Sequence, residues 1–404
     1  MSANSFTKTL KRFAIAVPVS LVLASGAALP RQASAETLAD ALVGAYEHSG
    51  LLNQNRALLR AADEDVATAK STLKPVLQWA AGLTQSFGTT RSSSLLPAQS
   101  TESLKASISL IGELLLYDFG ASAYRVEAAK ETVLATRQAL VNLEQQVLLR
   151  AVAAYMGVIE ASETVELRNN NLRLLTQELR AARDRFDVGE VTRTDVALAE
   201  AQLADARSGL AGAEGTLLRA VEEYRNAVGH APGNLSQPPS LPNIGGDLAS
   251  AKALAVRTHP SIIAAQHQVA AADLGVEANE AAMAPRITLN GQYGLNETFD
   301  SNAYTRSGSV GVQVGQTIYQ GGALSSAVRS SMAQRDAQRA NLHVVRQDVE
   351  QEVGNAYAAL ASARAQLEAS DRQIRAARIA FRGIREEATL GARTTLDVLD
   401  AEQS

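Results

Sequence analysis

Two spacings of apolar residues take turns along this chain. Between Ala121 and about Arg185, first Leu140, Leu143 and Val147 and later Leu172, Leu175, Leu179, Ala182 and Phe186 recur three or four residues apart. This stretch has no proline and only Gly157 as an interior glycine. Such a heptad-like seam predicts one helix of roughly 60 residues, a rod of about 90 Å at 1.5 Å per residue. A second run of the same kind extends from Ala323 to Leu390. Elsewhere the period is two. Leu104, Ala106, Ile108 and Leu110 alternate with Lys105, Ser107, Ser109 and Ile111. Ile287, Leu289, Gly291, Tyr293 and Leu295 alternate with Thr288, Asn290, Gln292 and Gly294, and Val310, Val312 and Val314 with Gly311, Gln313 and Gly315. Alternation predicts strands with one apolar and one small or polar face, paired as β-hairpins at about 75–117 and 285–319. One moderate helix opens each half and ends before Pro75 or Pro285, because the residue before a proline is steered away from helix.

The two halves are copies of one unit. Thr37–Leu52 aligns with Asp247–Ile262 and Pro75 with Pro285, an offset of 210. Beyond the hairpins Tyr117 falls on Tyr319, Gly120 on Gly322, Gly189 on Gly391 and Asp195 on Asp397, an offset of 202. The resulting division is a first repeat at 36–228, a Pro/Gly-rich linker at 229–247 and a second repeat at 248–404. Each long helix reverses at a glycine suited to a left-handed C-cap, Gly189 or Gly391, giving tips at about 186–194 and 388–396. The first copy then returns through a full helix. The second is expected to need about 25 further residues by comparison with it, so the chain reads as a fragment.

Residues 1–35 read as a cleaved export signal. Lys8, Lys11 and Arg12 precede an apolar run from Phe13 to Leu29, and Ala33-Ser34-Ala35 supplies a small-x-small cleavage site. Removing these residues takes four basic side chains and no acidic ones, so 38 basic against 42 acidic becomes 34 against 42, a mature charge of −8. That balance argues against nucleic acid as a partner. The absence of cysteine excludes disulfides and N-terminal lipid attachment. After residue 35 nothing approaches the roughly 20 apolar residues of a membrane helix, so any crossing must use strands. Four strands cannot close a barrel and lipid forbids open edges, so several chains would have to share one.

The order of elements, given twice, resembles the TolC family of outer-membrane efflux proteins. The strongest marks are "RFDVGEVTRTDVALAEAQ" (Arg185–Gln202) and "LGARTTLDVLDAEQ" (Leu390–Gln403), which resemble the family's two periplasmic turns, and the junctions at Tyr117 and Tyr319. The resemblance implies a mainly α fold with a small β part: duplicated long α-helical hairpins plus two β-hairpins. As a homotrimer these would form a twelve-stranded outer-membrane β-barrel continuous with a periplasmic α-helical barrel. It implies a passive duct for drugs or secreted proteins. Its partners would be a periplasmic adaptor protein, an inner-membrane pump of RND or ABC type, and outer-membrane lipid. Carried over residue by residue, it makes Asp397 and Asp400 an entrance ring, and Arg393, Thr194 and Asp195 closed-state contacts between the tips. A tyrosine that usually joins these contacts is replaced here by Ala388.

Candidate chemistry is sparse. His48, His230, His259, His267 and His343 are scattered, with no pair at metal-ligand spacing. Ser71–Lys74 matches a serine-x-x-lysine pattern without its partner motifs. Neither catalysis nor a cofactor is expected. A periplasmic adaptor or a coiled-coil stalk would share the long helical hairpins, but neither needs paired alternating hairpins at equivalent points of both copies.

Overall fold

A computed structural model of the protein describes residues 35–403 except 92–96, 98, 241–243, 245 and 300–302. The expected export signal lies outside the described residues, apart from Ala35. The helices and strands run α1 (Leu38–His48), α2 (Gly50–Ser71), β1 (Val76–Thr90), β2 (Gln99–Tyr117), α3 (Ala121–Asp187) and α4 (Arg193–Val228). They then repeat as α5 (Leu248–Thr258), α6 (Pro260–Ala281), β3 (Arg286–Thr298), β4 (Ala303–Gly315), α7 (Ala323–Thr389) and α8 (Thr395–Gln403).

The single opening helix expected in each half is two helices. At Ser49 the backbone turns extended, its N–H still donates to Ala45 O, and its Oγ accepts from Leu52 N, so one residue ends α1 and starts α2. His259 does the same in the second copy, its ring nitrogen accepting from Ser261 N, with Pro260 in the first-turn position that tolerates a missing N–H. The second hairpin also stops short of Tyr319. As an edge strand, β4 has no partner beyond Gly315, whereas β2 is held as far as Tyr117 by Ile287 of β3.

α3 and α7 are 67 residues each, about 100 Å long. α3 packs against α4, α2 and α6, so the two repeats join along α3 and α6, where His267 Nδ1 lies 2.7 Å from Glu131 Oε2. They join again through the sheet, whose order β1-β2-β3-β4 is antiparallel throughout and makes β2–β3 the bond between copies.

The largest core lies where α1 meets α3 and α4. It consists of Ala41, Ala45, Ala151, Ala154, Tyr155, Val158, Tyr224, Ala227 and Val228. Alanines and Gly44 let the helices approach closely; a Cβ on Gly44 would sit 2.9 Å from Val228 Cγ1. A second seam, Leu175, Leu179 and Ala182 against Ala199, Leu203 and Ala206, closes α3 on α4 near the tip. Phe186, expected in that stripe, is exposed at its end.

Glu36 ties the start of the first repeat to the linker. Its N–H donates to Asn234 O (2.8 Å) and its carbonyl accepts from Ser236 N (2.9 Å). The carboxylate accepts from Tyr224 Oη (2.5 Å) and Gly233 N (3.2 Å), with His230 Nε2 3.4 Å away. Tyr155 Oη donates to Ser236 O at 2.6 Å, and both tyrosine rings are fully buried.

Candidate functional site

Two regions carry the features singled out in the sequence: the helix tips and the sheet. At the first tip α3 ends on Val188, and Gly189 takes φ +79°, a left-handed conformation that costs glycine nothing. Gly189 N donates to Phe186 O and Glu190 N to Arg185 O, the paired bonds of a Schellman stop. The second tip repeats this: Gly391 has φ +75°, its N–H donates to Ala388 O, and Ala392 N donates to Glu387 O.

Each return helix then starts with a reciprocal cap. Thr192 N and Oγ1 both donate to Asp195 Oδ2 (2.8 Å each), and Asp195 N donates back to Thr192 Oγ1 (3.3 Å). Thr394 and Asp397 do the same at 2.9, 2.8 and 3.2 Å. These hydrogen bonds hold both carboxyls below the usual aspartate range, with the Arg393 charge a smaller cause at Asp397. Thr192 and Thr394 were missed in the sequence, although Thr-x-x-Asp before an apolar run is the cap's own signature.

The structure therefore gives Asp397 a helix-starting role, through one of its two carboxylate oxygens. Asp400, one turn further along α8, is exposed. Arg393 is taken up within its own hairpin, Nε donating to Glu387 Oε2 at 2.8 Å, and that carboxylate is the main cause of its raised pKa. Among the described residues no hydrogen bond or ion pair joins Arg393 to Thr194 or Asp195.

One asymmetry between the tips is chemical. In the first hairpin Arg183 and Glu200 form an ion pair at 2.5 Å. Their equivalents, Arg385 and Glu402, make no such pair among the described residues. α8 instead packs on α7 and α3, and Glu402 Oε2 is covered without a hydrogen-bond partner. Burial raises the Glu402 pKa, the charge of Glu178 on α3 adds to the rise, and Arg385 opposes it.

The sheet has two chemically distinct faces, fixed by register. Trp79 stands opposite Leu110, which stands opposite Tyr293; Ile108 stands opposite Leu295; Gly291 stands opposite Val310 and Leu289 opposite Val312. This apolar face is exposed: Trp79 by 76%, Val310 by 81% and Val312 by 62%. Ser107 and Ser109, Asn290 and Gln292, and Ser309 and Gln313 occupy the other face. A sheet with one face for lipid and one for water, and with β1 and β4 as free edges, is incomplete as a single copy. At the strand–helix junction Tyr117 and Phe119 form an edge-to-face pair 4.8 Å apart, and Ile318 and Tyr319 are also exposed. Aromatic groups there suit a membrane–water interface.

Among the described residues no helix is long and apolar enough to cross a membrane, and no cluster of side chains could hold a metal ion. The profile of the outer membrane efflux protein family matches residues 42–230 and 253–404. The chain belongs to that family. The chain is 37% identical over 388 residues to the outer membrane efflux protein BepC of Brucella suis biovar 1, covering 94% of this chain and 82% of BepC. It is 25% identical over 300 residues to the alkaline protease secretion protein AprF of Pseudomonas aeruginosa, covering 72% of this chain and 62% of AprF. In fold it is similar to CusC, with a TM-score of 0.78 and 19% identity, over 98% of this chain and 92% of CusC. As a TolC-family efflux protein it is an outer-membrane channel protein with a periplasmic helical part, and not an enzyme.

Proposed function

We propose that three copies of this chain form the exit duct of a tripartite efflux or type I secretion system. The duct passively conducts drugs or secreted proteins from an inner-membrane pump of RND or ABC type, reached through a periplasmic adaptor. The observation that carries the reading is the two-faced sheet with both edges open, each hairpin running directly into a 67-residue helix. Strand geometry alone would allow as few as two copies; three is the number in the family's channels. Lipid then covers the face of Trp79, Tyr293 and Val310, and cargo passes the face of Ser107, Asn290 and Gln313. BepC is named for efflux and AprF for protease secretion, so both cargo classes stay within the proposal.

At the opposite end, Asp397 and Asp400 of three copies would ring the entrance with six carboxylates, attracting cations and repelling one another. Asp397 meets Thr394 through one carboxylate oxygen, and these hydrogen bonds favour its ionised form, as a place in the ring requires. Arg393, which meets Glu387 through Nε, would hold the closed state by turning its other guanidinium N–H groups to Thr194 and Asp195 of the first hairpin.

The duct is tested by recovering the protein from outer-membrane fractions and comparing unheated with heated samples on gels, then recording conductance in planar bilayers. A heat-labile trimer that conducts is expected. A soluble periplasmic monomer would sink the reading in favour of an adaptor or stalk. Asp397→Ala with Asp400→Ala is expected to weaken block by divalent and trivalent cations, and unchanged block would retire the entrance ring.

A further inference from the structure

The water-facing side of the sheet carries few charges, and they are not balanced along its length. Among the described residues its charged members are Lys105, Glu113 and Arg286. Glu113 and Arg286 neutralise each other at the helix end of the sheet, 3.5 Å apart. Lys105 stands far from them, opposite Thr84 of β1 and Thr298 at the far end of β3. Among the described residues its surroundings on that face are Thr84, Ser103, Ser107, Asn296 and Thr298, hydroxyls and amides with no carboxylate. Glu102, Glu297 and Arg306 belong to the opposite face. The ammonium is exposed and has no ion-pair partner among the described residues.

We infer that Lys105 is a selectivity determinant of the outer half of the duct, favouring anionic solutes, those bearing carboxylate, phosphate or sulfonate groups, on their way out. The inference rests on the proposed trimer, which turns one uncompensated lysine into three ammoniums around a single water-filled bore. A ring of one sign around a narrow bore with low-dielectric walls raises the local concentration of the opposite ion. The barrel then opposes the entrance carboxylates: cations are favoured at the helix tips and anions at the exit. Because the charges sit in water, their reach is the Debye length, about 10 Å at 0.1 M salt and about 3 Å at 1 M. The anion preference is therefore a low-salt property that fades as salt rises.

The chain has no cysteine, so Lys105→Cys gives one addressable thiol. The full chain carrying this change is reconstituted in planar bilayers under a potassium chloride gradient. Its reversal potential is read before and after adding a cationic or an anionic methanethiosulfonate reagent from the barrel side. The unmodified variant is expected to shift toward cations by roughly twofold in permeability ratio at 0.1 M salt. The cationic reagent restores the original value, the anionic one shifts it further, and both effects shrink at 1 M. Lys105→Gln should reproduce the first shift without a reagent. An unchanged reversal potential after both reagents, with modification verified by mass, would overturn the assignment while the channel stands. Absence of conductance from the unsubstituted chain would overturn the duct itself, and the lysine's role with it.

Discussion

Tyr224→Phe removes one oxygen from the centre of the Glu36 clamp and leaves the ring packing intact. That hydroxyl donates to a carboxylate at 2.5 Å, and the ring is fully buried, so no water can replace it without disturbing the core. A hydrogen bond to a charged group contributes about 1.5–3 kcal/mol, so a loss of about 2 kcal/mol is expected. Glu36→Ala should cost more, about 3 kcal/mol, because it strips the partners from Tyr224 Oη and Gly233 N together. Glu36→Gln keeps an acceptor oxygen and should cost about 1 kcal/mol. Combining Tyr224→Phe with Glu36→Ala should add little to Glu36→Ala alone, since both remove the same bond.

The assay follows from the donors involved. Ser236 N donates to Glu36 O and Gly233 N to its carboxylate, so their amide hydrogen exchange reports whether the clamp is closed. A loss of about 2 kcal/mol corresponds to roughly thirtyfold faster exchange at these amides if opening is local. Tyr224 also gives the clamp an alkaline limb. Its pKa is raised by burial and by Glu36, so its contribution is complete below pH 10.0 and is lost as pH rises toward the elevated value. Tyr224→Phe should abolish that limb. Unchanged exchange at Ser236 and Gly233 in Tyr224→Phe, with the alkaline limb intact, would refute the clamp.

Val310→Lys on the apolar face should cost about 2–4 kcal/mol in a membrane-inserted barrel, whereas Ser309→Lys, one residue away on the other face, should be nearly neutral; the fraction of heat-resistant trimer on gels separates them. Phe119 has φ +54°, where its repeat partner is Gly321 at φ +57°. Phe119→Ala should therefore be less stable than Phe119→Gly by about 1 kcal/mol in thermal melts, since both lose the ring contact but only glycine relieves the backbone. The lowered Asp397 pKa means the cap is complete above pH 3.8 and is lost as pH falls below it, and Asp397→Asn should remove that acid step from proteolysis of the second tip. Glu402 has the opposite sign: the α8–α3 contact is firmest below pH 4.5 and loosens as pH rises through the raised value. Glu402→Gln should hold the contact firm across that range, read as the pH dependence of exchange in α8.

What the sequence disclosed was whatever is periodic. The seam from Leu172 to Ala182 and the alternation from Ile287 to Leu295 announce helix and strand because burial on one face demands that spacing. The left-handed glycines at 189 and 391 were legible because few other residues accept that backbone. The breaks at Ser49 and His259 were not read, since one capping residue hardly disturbs an apolar pattern on either side. The Glu36 clamp joins residues 188 positions apart and leaves no local mark. Arg393 was assigned to the opposite hairpin by resemblance, and a carboxylate six residues away holds it in the single chain. Lys105 was visible as one polar position in an alternating strand. Its isolation emerged only when register put threonine on both sides.

The most direct test of the channel is to count how many chains close the sheet. β1 and β4 are the free edges of a four-stranded sheet, and a shared barrel must pair β1 of one copy with β4 of the next. In this cysteine-free chain, pairs of cysteines introduced one per edge, scanned along Val76–Thr90 and Ala303–Gly315, are oxidised in outer membranes and resolved on denaturing gels. One register is expected to yield a covalent ladder ending at three chains. A ladder ending at two, one that continues without limit, or no cross-link in any register would contradict a three-chain channel.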